Sequence, residues 1–203
     1  MAHYFITGVS SGIGRALVTK LCREQNNGSG VARRAERLED LKTKNKSFYG
    51  MVCDVTEVSR LADCVSSAEK KLGNIDIAIL NAGIYVPQDG KDIDPSVYAK
   101  HMDTNYMGVI NALAPIIPSM IKRGTGHIAI IASAAGWRGL PKAAAYGPTK
   151  AALISLGESL YFDLKKTGVT LQVICPGFVD TEATSINNFY MCLVCLVIMA
   201  GPN

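Results

Sequence analysis

A doubly wound α/β fold, with a parallel sheet covered by helices on both faces, is predicted by three features of this sequence. Short apolar runs alternate with segments of helical periodicity, and no internal repeat interrupts them. A glycine-rich turn lies between the first such run and the first helical segment. The 203 residues, 48% hydrophobic and 19% charged, suffice for a sizeable core, so residues 1–203 are expected to form a single domain.

The elements follow in order. Tyr4–Ile6 reads as a first strand, and Ile13, Leu17 and Leu21 mark the inner stripe of the next helix. Tyr49–Cys53 is strand-like, followed by a helix whose stripe is Val58, Leu61, Ala62, Val65 and Leu72. After the strand Ile75–Leu80, one long helix is expected from Pro95 to Lys122, carrying Met102, Tyr106, Val109, Leu113 and Ile117. Pro115 and Pro118 are expected to kink or shorten its last turns. The strand Ile128–Ala132, a helix from Tyr146 through Phe162 and the strand Thr170–Cys175 complete the alternation. Sheets of this kind bind ligands at the carboxyl ends of their strands.

Composition narrows the function. A net charge of +4 without a basic run argues against nucleic acid as partner. No apolar stretch reaches membrane-spanning length, and MAHYFITG lacks the layout of a secretory signal, so a cytoplasmic protein away from the membrane is expected. Cys22, Cys53, Cys64, Cys175, Cys192 and Cys195 are scattered, and only the last two have C-x-x-C spacing, without a second pair. Reduced buried thiols are therefore expected, not zinc. His3, His101 and His127 lie apart without metal-like spacing and read as structural or exposed, so no metal site is expected.

Chemistry concentrates between His127 and Lys150. Ser133 stands where the apolar strand ends, and Tyr146 and Lys150, four residues apart, share one helical face. A phenol titrates near pH ~10. An ammonium at ~4 Å, in an effective dielectric of ~20, favours the phenolate by up to ~4 kcal/mol, which is expected to bring tyrosine into the range of general acid–base work. Ser133 offers a hydroxyl to a developing alkoxide. Taken alone, Tyr-x-x-x-Lys is a weak signal, and a serine at a strand end is more often a cap. Upstream, Thr7-Gly8-Val9-Ser10-Ser11-Gly12-Ile13-Gly14 opens a helix with the spacing G-x-x-x-G-x-G, suited to a pyrophosphate at backbone N–H groups.

Several separate motifs in order make the chain resemble the short-chain dehydrogenase/reductase family. They are Thr7–Gly14, Asp54 in CDVT, Asn81-Ala82-Gly83, Asn105, Ser133 thirteen residues before Tyr146, Tyr146-x-x-x-Lys150, and Pro176-Gly177 followed by Thr181. The resemblance runs from the first strand to about Thr184 and implies a Rossmann-like fold and oxidoreduction of a small carbonyl or alcohol with a nicotinamide dinucleotide. It implies that Tyr146 is the general acid, that Lys150 lowers its pKa and binds the nicotinamide ribose, and that Ser133 polarises the carbonyl. Asn105 would hold the helix geometry and a water that relays protons. Gly8, Ser10, Ser11, Gly12, Ile13 and Gly14 would cradle the dinucleotide, with Asp54 and Val55 at the adenine. Asn81, with Ala82 and Gly83, would line its path. Pro176, Gly177, Val179 and Thr181 would cover the nicotinamide. A homodimer or homotetramer is implied as well, with Tyr98, Ala151 and Leu160 as candidates for the buried outer faces of two helices.

Cofactor choice turns on Val31-Ala32-Arg33-Arg34. Ala32 stands where NAD-preferring members carry aspartate, and the forked donors of Arg33 suit a 2′-phosphate, so NADP is expected over NAD, with Arg34 as a helper; the alternative for either arginine, as strong as the first for Arg34, is a solvated helix-start charge. Two stretches depart from the family pattern. Asn26–Gly30, with two glycines and no large apolar residue, is expected to make the second strand weak or partly irregular. Only Glu182–Asn203 follow the Pro-Gly segment, so residues 184–203 are expected to be an atypical, shortened C-terminal segment. Its apolar run Phe189–Ala200 reads as a last strand with the substrate lid missing or shortened, or as an exposed tail that pairs with another subunit or aggregates. The preferred function is an NADP-dependent reductase or dehydrogenase; the alternative is a nucleotide-binding sensor or subunit without catalysis.

Overall fold

The computed structural model describes residues 1–179 and, as backbone, 196–200. Its strands are β1 (His3–Thr7), β2 (Asn27–Ala32), β3 (Phe48–Val52), β4 (Ile77–Leu80), β5 (Gly126–Ile131), β6 (Val169–Pro176) and β7 (Leu196–Ala200). They join in one sheet of order β3-β2-β1-β4-β5-β6-β7. The first six run parallel, with Phe5 paired to Ser29 and to Ala78, and Ile130 to Leu80 and Val173. Strand order reverses between β1 and β4, so the crevice of this Rossmann-like sheet opens at their carboxyl ends.

Helices α1 (Gly12–Arg23), α2 (Ala35–Lys44), α3 (Val58–Leu72), α4 (Pro95–Met102), α5 (Gly108–Arg123) and α6 (Gly147–Leu164) occupy the crossovers. Val18, Leu21, Leu38 and Leu41 of α1 and α2 pack one face of the sheet. Leu61 and Val65 of α3, Val109 and Ile116 of α5, and Leu153 of α6 cover the other. Inner stripes shift slightly from those expected. Val18 is fully buried in α1 beside a half-buried Leu17, and Val58 of α3 is 57% exposed.

Two expectations are corrected, and a third is met over the described residues. β2 is a regular, buried strand between β1 and β3. Its small residues are a packing requirement, because a Cβ on Gly30 would sit 2.5 Å from the Ile6 carbonyl oxygen and 2.7 Å from Val9 Cγ1. Ser29 is satisfied inside the sheet by the buried His3, whose Nε2 lies 2.7 Å from its hydroxyl oxygen. The helix expected from Pro95 to Lys122 is α4, a π-helical turn over Asp103–Met107, then α5. Neither Pro115 nor Pro118 ends it early, and α5 reaches Arg123 before Gly124 caps it in the left-handed region. The expected last strand is present as β7, which pairs antiparallel with β6, Leu196 opposite Pro176 and Ala200 opposite Gln172; residues 189–195 of that apolar run lie outside the described residues.

Candidate active site

A cleft of about 400 Å³ lies at the carboxyl ends of β1, β4 and their neighbours. Nearly every expected site residue lines it, from Arg33 and Arg34 at one end, past Ser10–Ile13, Asp54, Val55 and Asn81–Gly83, to Ser133, Tyr146, Lys150, Pro176, Gly177 and Val179. Gly14 lies behind the turn, where a Cβ would sit 2.4 Å from the Gly8 carbonyl oxygen, so α1 packs directly on that loop. Asn105 is fully buried behind the wall. Thr181, Cys192 and Cys195 lie outside the described residues, as do all residues from 180 to 195.

The glycine-rich turn is fastened to β4. Asn81 Nδ2 donates to the carbonyls of Thr7 and Gly8 at 3.1 and 3.3 Å, and the Thr7 hydroxyl accepts from the amides of Asn81 and Ala82, both at 3.0 Å. Ser11, the N-cap residue of α1, makes no side-chain cap. Its hydroxyl instead accepts from Arg34 Nη2 at 2.8 Å, and that same nitrogen reaches the Ser10 hydroxyl at 3.0 Å. Arg34 is therefore held over the turn and is not a merely solvated charge. Arg33 lies in the open, 3.6 Å from Asp54 Oδ2, while Asp54 Oδ1 accepts from the amide and hydroxyl of Thr56.

At the other end, Tyr146 precedes α6, and its carbonyl accepts from the Thr149 hydroxyl at 2.7 Å and the Lys150 amide at 3.3 Å. Ser133 does cap, taking the Ala135 amide at 3.2 Å, yet its hydroxyl also hydrogen-bonds the Tyr146 phenol. Asn105 sits in the π turn. Its Oδ1 accepts from the Ile84 amide at 2.7 Å, and its Nδ2 donates to the Ile84 carbonyl and to the Thr149 hydroxyl. A π turn widens the helix by one residue, and such turns recur at functional sites.

Electrostatics differ from the sequence expectation. Lys150 Nζ is 5.6 Å from the Tyr146 ring centroid and donates to the Ile131 carbonyl at 2.8 Å. Desolvation raises the phenol above its ordinary range, and the Ser133 hydrogen bond only partly opposes it. Desolvation also pulls Lys150 down to about 8, against a smaller opposing influence of the Cys175 thiol. Burial of both groups thus outweighs the attraction that helical spacing alone suggests.

Sequence reasoning missed Tyr85. It lines the cleft, its ring edge-on to that of Tyr146 with centroids 5.2 Å apart. Its only sequence signal is its place two residues after Gly83. Trp137 and Leu140, in the loop between Ser133 and Tyr146, are 46% and 38% exposed and do not line this cleft. Among the described residues, no group of His, Cys, Asp or Glu is arranged to hold a metal ion, and no helix is long and apolar enough to cross a membrane.

Comparison with known proteins agrees with this architecture. A family model described as short chain dehydrogenase matches residues 2–188. An uncharacterized oxidoreductase of Myxococcus xanthus is 34% identical over 190 residues, covering 92% of this chain and 75% of that protein. The crystal structure of an actinorhodin polyketide ketoreductase variant with NADPH superposes with a TM-score of 0.86 at 26% identity, covering 94% of this chain and 78% of the other. The closed form of a serine dehydrogenase complexed with NADP+ also reaches 0.86, at 27% identity over 91% and 75% of the two chains. With its sheet, its cleft and the span of that match in agreement, the chain belongs to the short chain dehydrogenase family and is an oxidoreductase.

Proposed function

We propose that this oxidoreductase interconverts a carbonyl and an alcohol with NADP(H), Tyr146 serving as general acid and base. The observation that carries the reading is the convergence of Ser133, Tyr146 and Lys150 at one end of a cleft whose other end holds Arg33 and Arg34. The residues fit a phosphorylated dinucleotide. Ser11 makes no side-chain cap at the start of α1, which favours an anion at its N–H groups, and two guanidiniums border the adenosine end. The NADPH and NADP+ in the two similar structures support the phosphorylated form.

When bound, the dinucleotide supplies or accepts the hydride. Ser133 offers its hydroxyl to the carbonyl oxygen, where negative charge develops in reduction. Tyr146 gives its proton to that same oxygen, and its raised pKa keeps it protonated at neutral pH. Lys150, at about 8, exchanges protons near neutrality and stands on the same helical turn as the phenol it would help to reprotonate. Asn105 fixes Ile84 and Thr149, and through them the wall and the first turn of α6.

Assay of NADPH oxidation against small aldehydes and cyclic ketones tests the reading. Tyr146→Phe is expected to lower turnover by at least ~100-fold while NADPH binding persists. Arg33→Ala and Arg34→Ala are each expected to weaken NADPH binding about tenfold in thermal-shift titrations and to leave NADH binding unchanged. Equal stabilisation by both dinucleotides, unaltered by either arginine substitution, would refute the NADP assignment.

A further inference from the structure

Residues Ile84–Val86 follow β4, with Ile84 and Tyr85 in the wall of the cleft, and two side chains of the helical segment Pro95–Met107 hold their backbone. The first is Asn105, which accepts from the Ile84 amide at 2.7 Å and donates to its carbonyl at 3.0 Å. The second is His101, four residues earlier, whose Nε2 accepts from the Val86 amide at 3.1 Å. An amide can only donate, so Nε2 carries the lone pair and the ring proton sits on Nδ1, 2.7 Å from the Val97 carbonyl. Both ring nitrogens are thereby used, and His101 is fully buried. Between the two fastenings stands Tyr85, edge-on to the Tyr146 ring.

We propose that His101 is a positioning residue for the carbonyl reaction: by holding the Val86 amide it keeps the Tyr85 ring against Tyr146, where the substrate meets its proton donor. The proposal rests on the acid role of Tyr146. The Val86 amide lies one peptide beyond Tyr85, so its bond to His101 restrains the backbone on the far side of that ring, as the Asn105 bonds at Ile84 do on the near side. Restraint on both sides of the ring is what precise placement beside a proton donor requires. Tyr85 thereby becomes a wall that limits substrate shape on that side of the phenol, and His101 acts on substrate only through it.

Two matched substitutions separate the ring nitrogens. Asn can replace Nδ1 as donor to Val97 but is too short to reach Val86, whereas Gln places an acceptor near the position of Nε2. In hydrogen exchange read by mass spectrometry on the full chain, without added dinucleotide, His101→Asn is expected to speed exchange of the Val86 amide about tenfold, the loss of one hydrogen bond. His101→Gln is expected to stay within about threefold of the parent. An unchanged Val86 amide in His101→Asn overturns the clamp, as does faster exchange spread evenly over residues 95–123. This arm needs no turnover, so it decides the proposal even if the parent protein reduces no carbonyl.

Kinetics supply the second arm. With NADPH and a carbonyl that the parent reduces, His101→Asn and Tyr85→Ala are each expected to lower kcat/KM for the carbonyl about tenfold, with NADPH affinity within twofold. His101→Gln recovers most of that loss, and the double variant His101→Asn/Tyr85→Ala is no worse than Tyr85→Ala alone. Losses that multiply in the double variant, or a matching fall in NADPH affinity, overturn the proposal. Full turnover in Tyr146→Phe defeats the acid role instead, a result distinct from either.

Discussion

Replacing Lys150 with Met should change how the stability of the dinucleotide-free protein depends on pH. Its side chain is 4% exposed, and desolvation lowers its pKa from the ordinary 10.5 to about 8. For a base whose folded pKa lies below its unfolded value, the unfolded chain holds more protons between those two values. Stability therefore rises as pH increases from about 8 to 10.5, and below about 8 the full penalty of the buried ammonium stands. At ~1.4 kcal/mol per pH unit, that penalty is roughly 3 kcal/mol. Methionine abolishes it but leaves the Ile131 carbonyl without its 2.8 Å donor, which costs about 1 kcal/mol. The variant should thus be more stable than the parent by roughly 2 kcal/mol at pH 7 and less stable by about 1 kcal/mol near pH 10.5. Urea denaturation followed by circular dichroism across that range measures the difference. Taking the difference cancels other alkaline titrations such as Cys53, pushed up to about 12 by burial. A gap that stays constant with pH would falsify the argument, since the lysine charge would then carry no penalty in the fold.

Two further substitutions probe the frame. Asn105→Ala removes three hydrogen bonds from a fully buried position and strands the polar groups of Ile84 and Thr149. It should destabilise by roughly 3 kcal/mol, read as a loss of thermal midpoint of about 6–12 °C in a chain of this size. Gly30→Ala puts a methyl 2.5 Å from the Ile6 carbonyl oxygen and should cost about 2 kcal/mol in urea denaturation. A neutral result there would mean that β2 has room to spare against the turn.

The order of strands and helices was legible because periodicity is a local property, and each apolar run or stripe reports its own burial. The turn Thr7–Gly14 and the spacing of Ser133, Tyr146 and Lys150 were legible for a related reason: the functional demand falls on residue types at short, fixed separations. Less was visible where the partner lies far along the chain. Ser29 is accommodated by His3, and Gly30 by the backbone of Ile6, so a stretch that looks too poor in apolar side chains forms a buried central strand. Arg34 reaches back to Ser10 and Ser11, and Tyr85 forward to Tyr146, contacts that exist only once the crossovers are wound.

The phenol shows the division most plainly. Spacing put a lysine beside Tyr146, and attraction alone would lower the phenol pKa; the folded chain buries both groups and turns Nζ toward Ile131, so desolvation decides the sign. By itself, then, the sequence determined which residues meet at the sheet's rim. Only the tertiary structure decided their protonation, their hydrogen-bond partners and the widened turn that carries Asn105. Those depend on solvent exclusion and on groups brought together across the fold, which no local pattern contains.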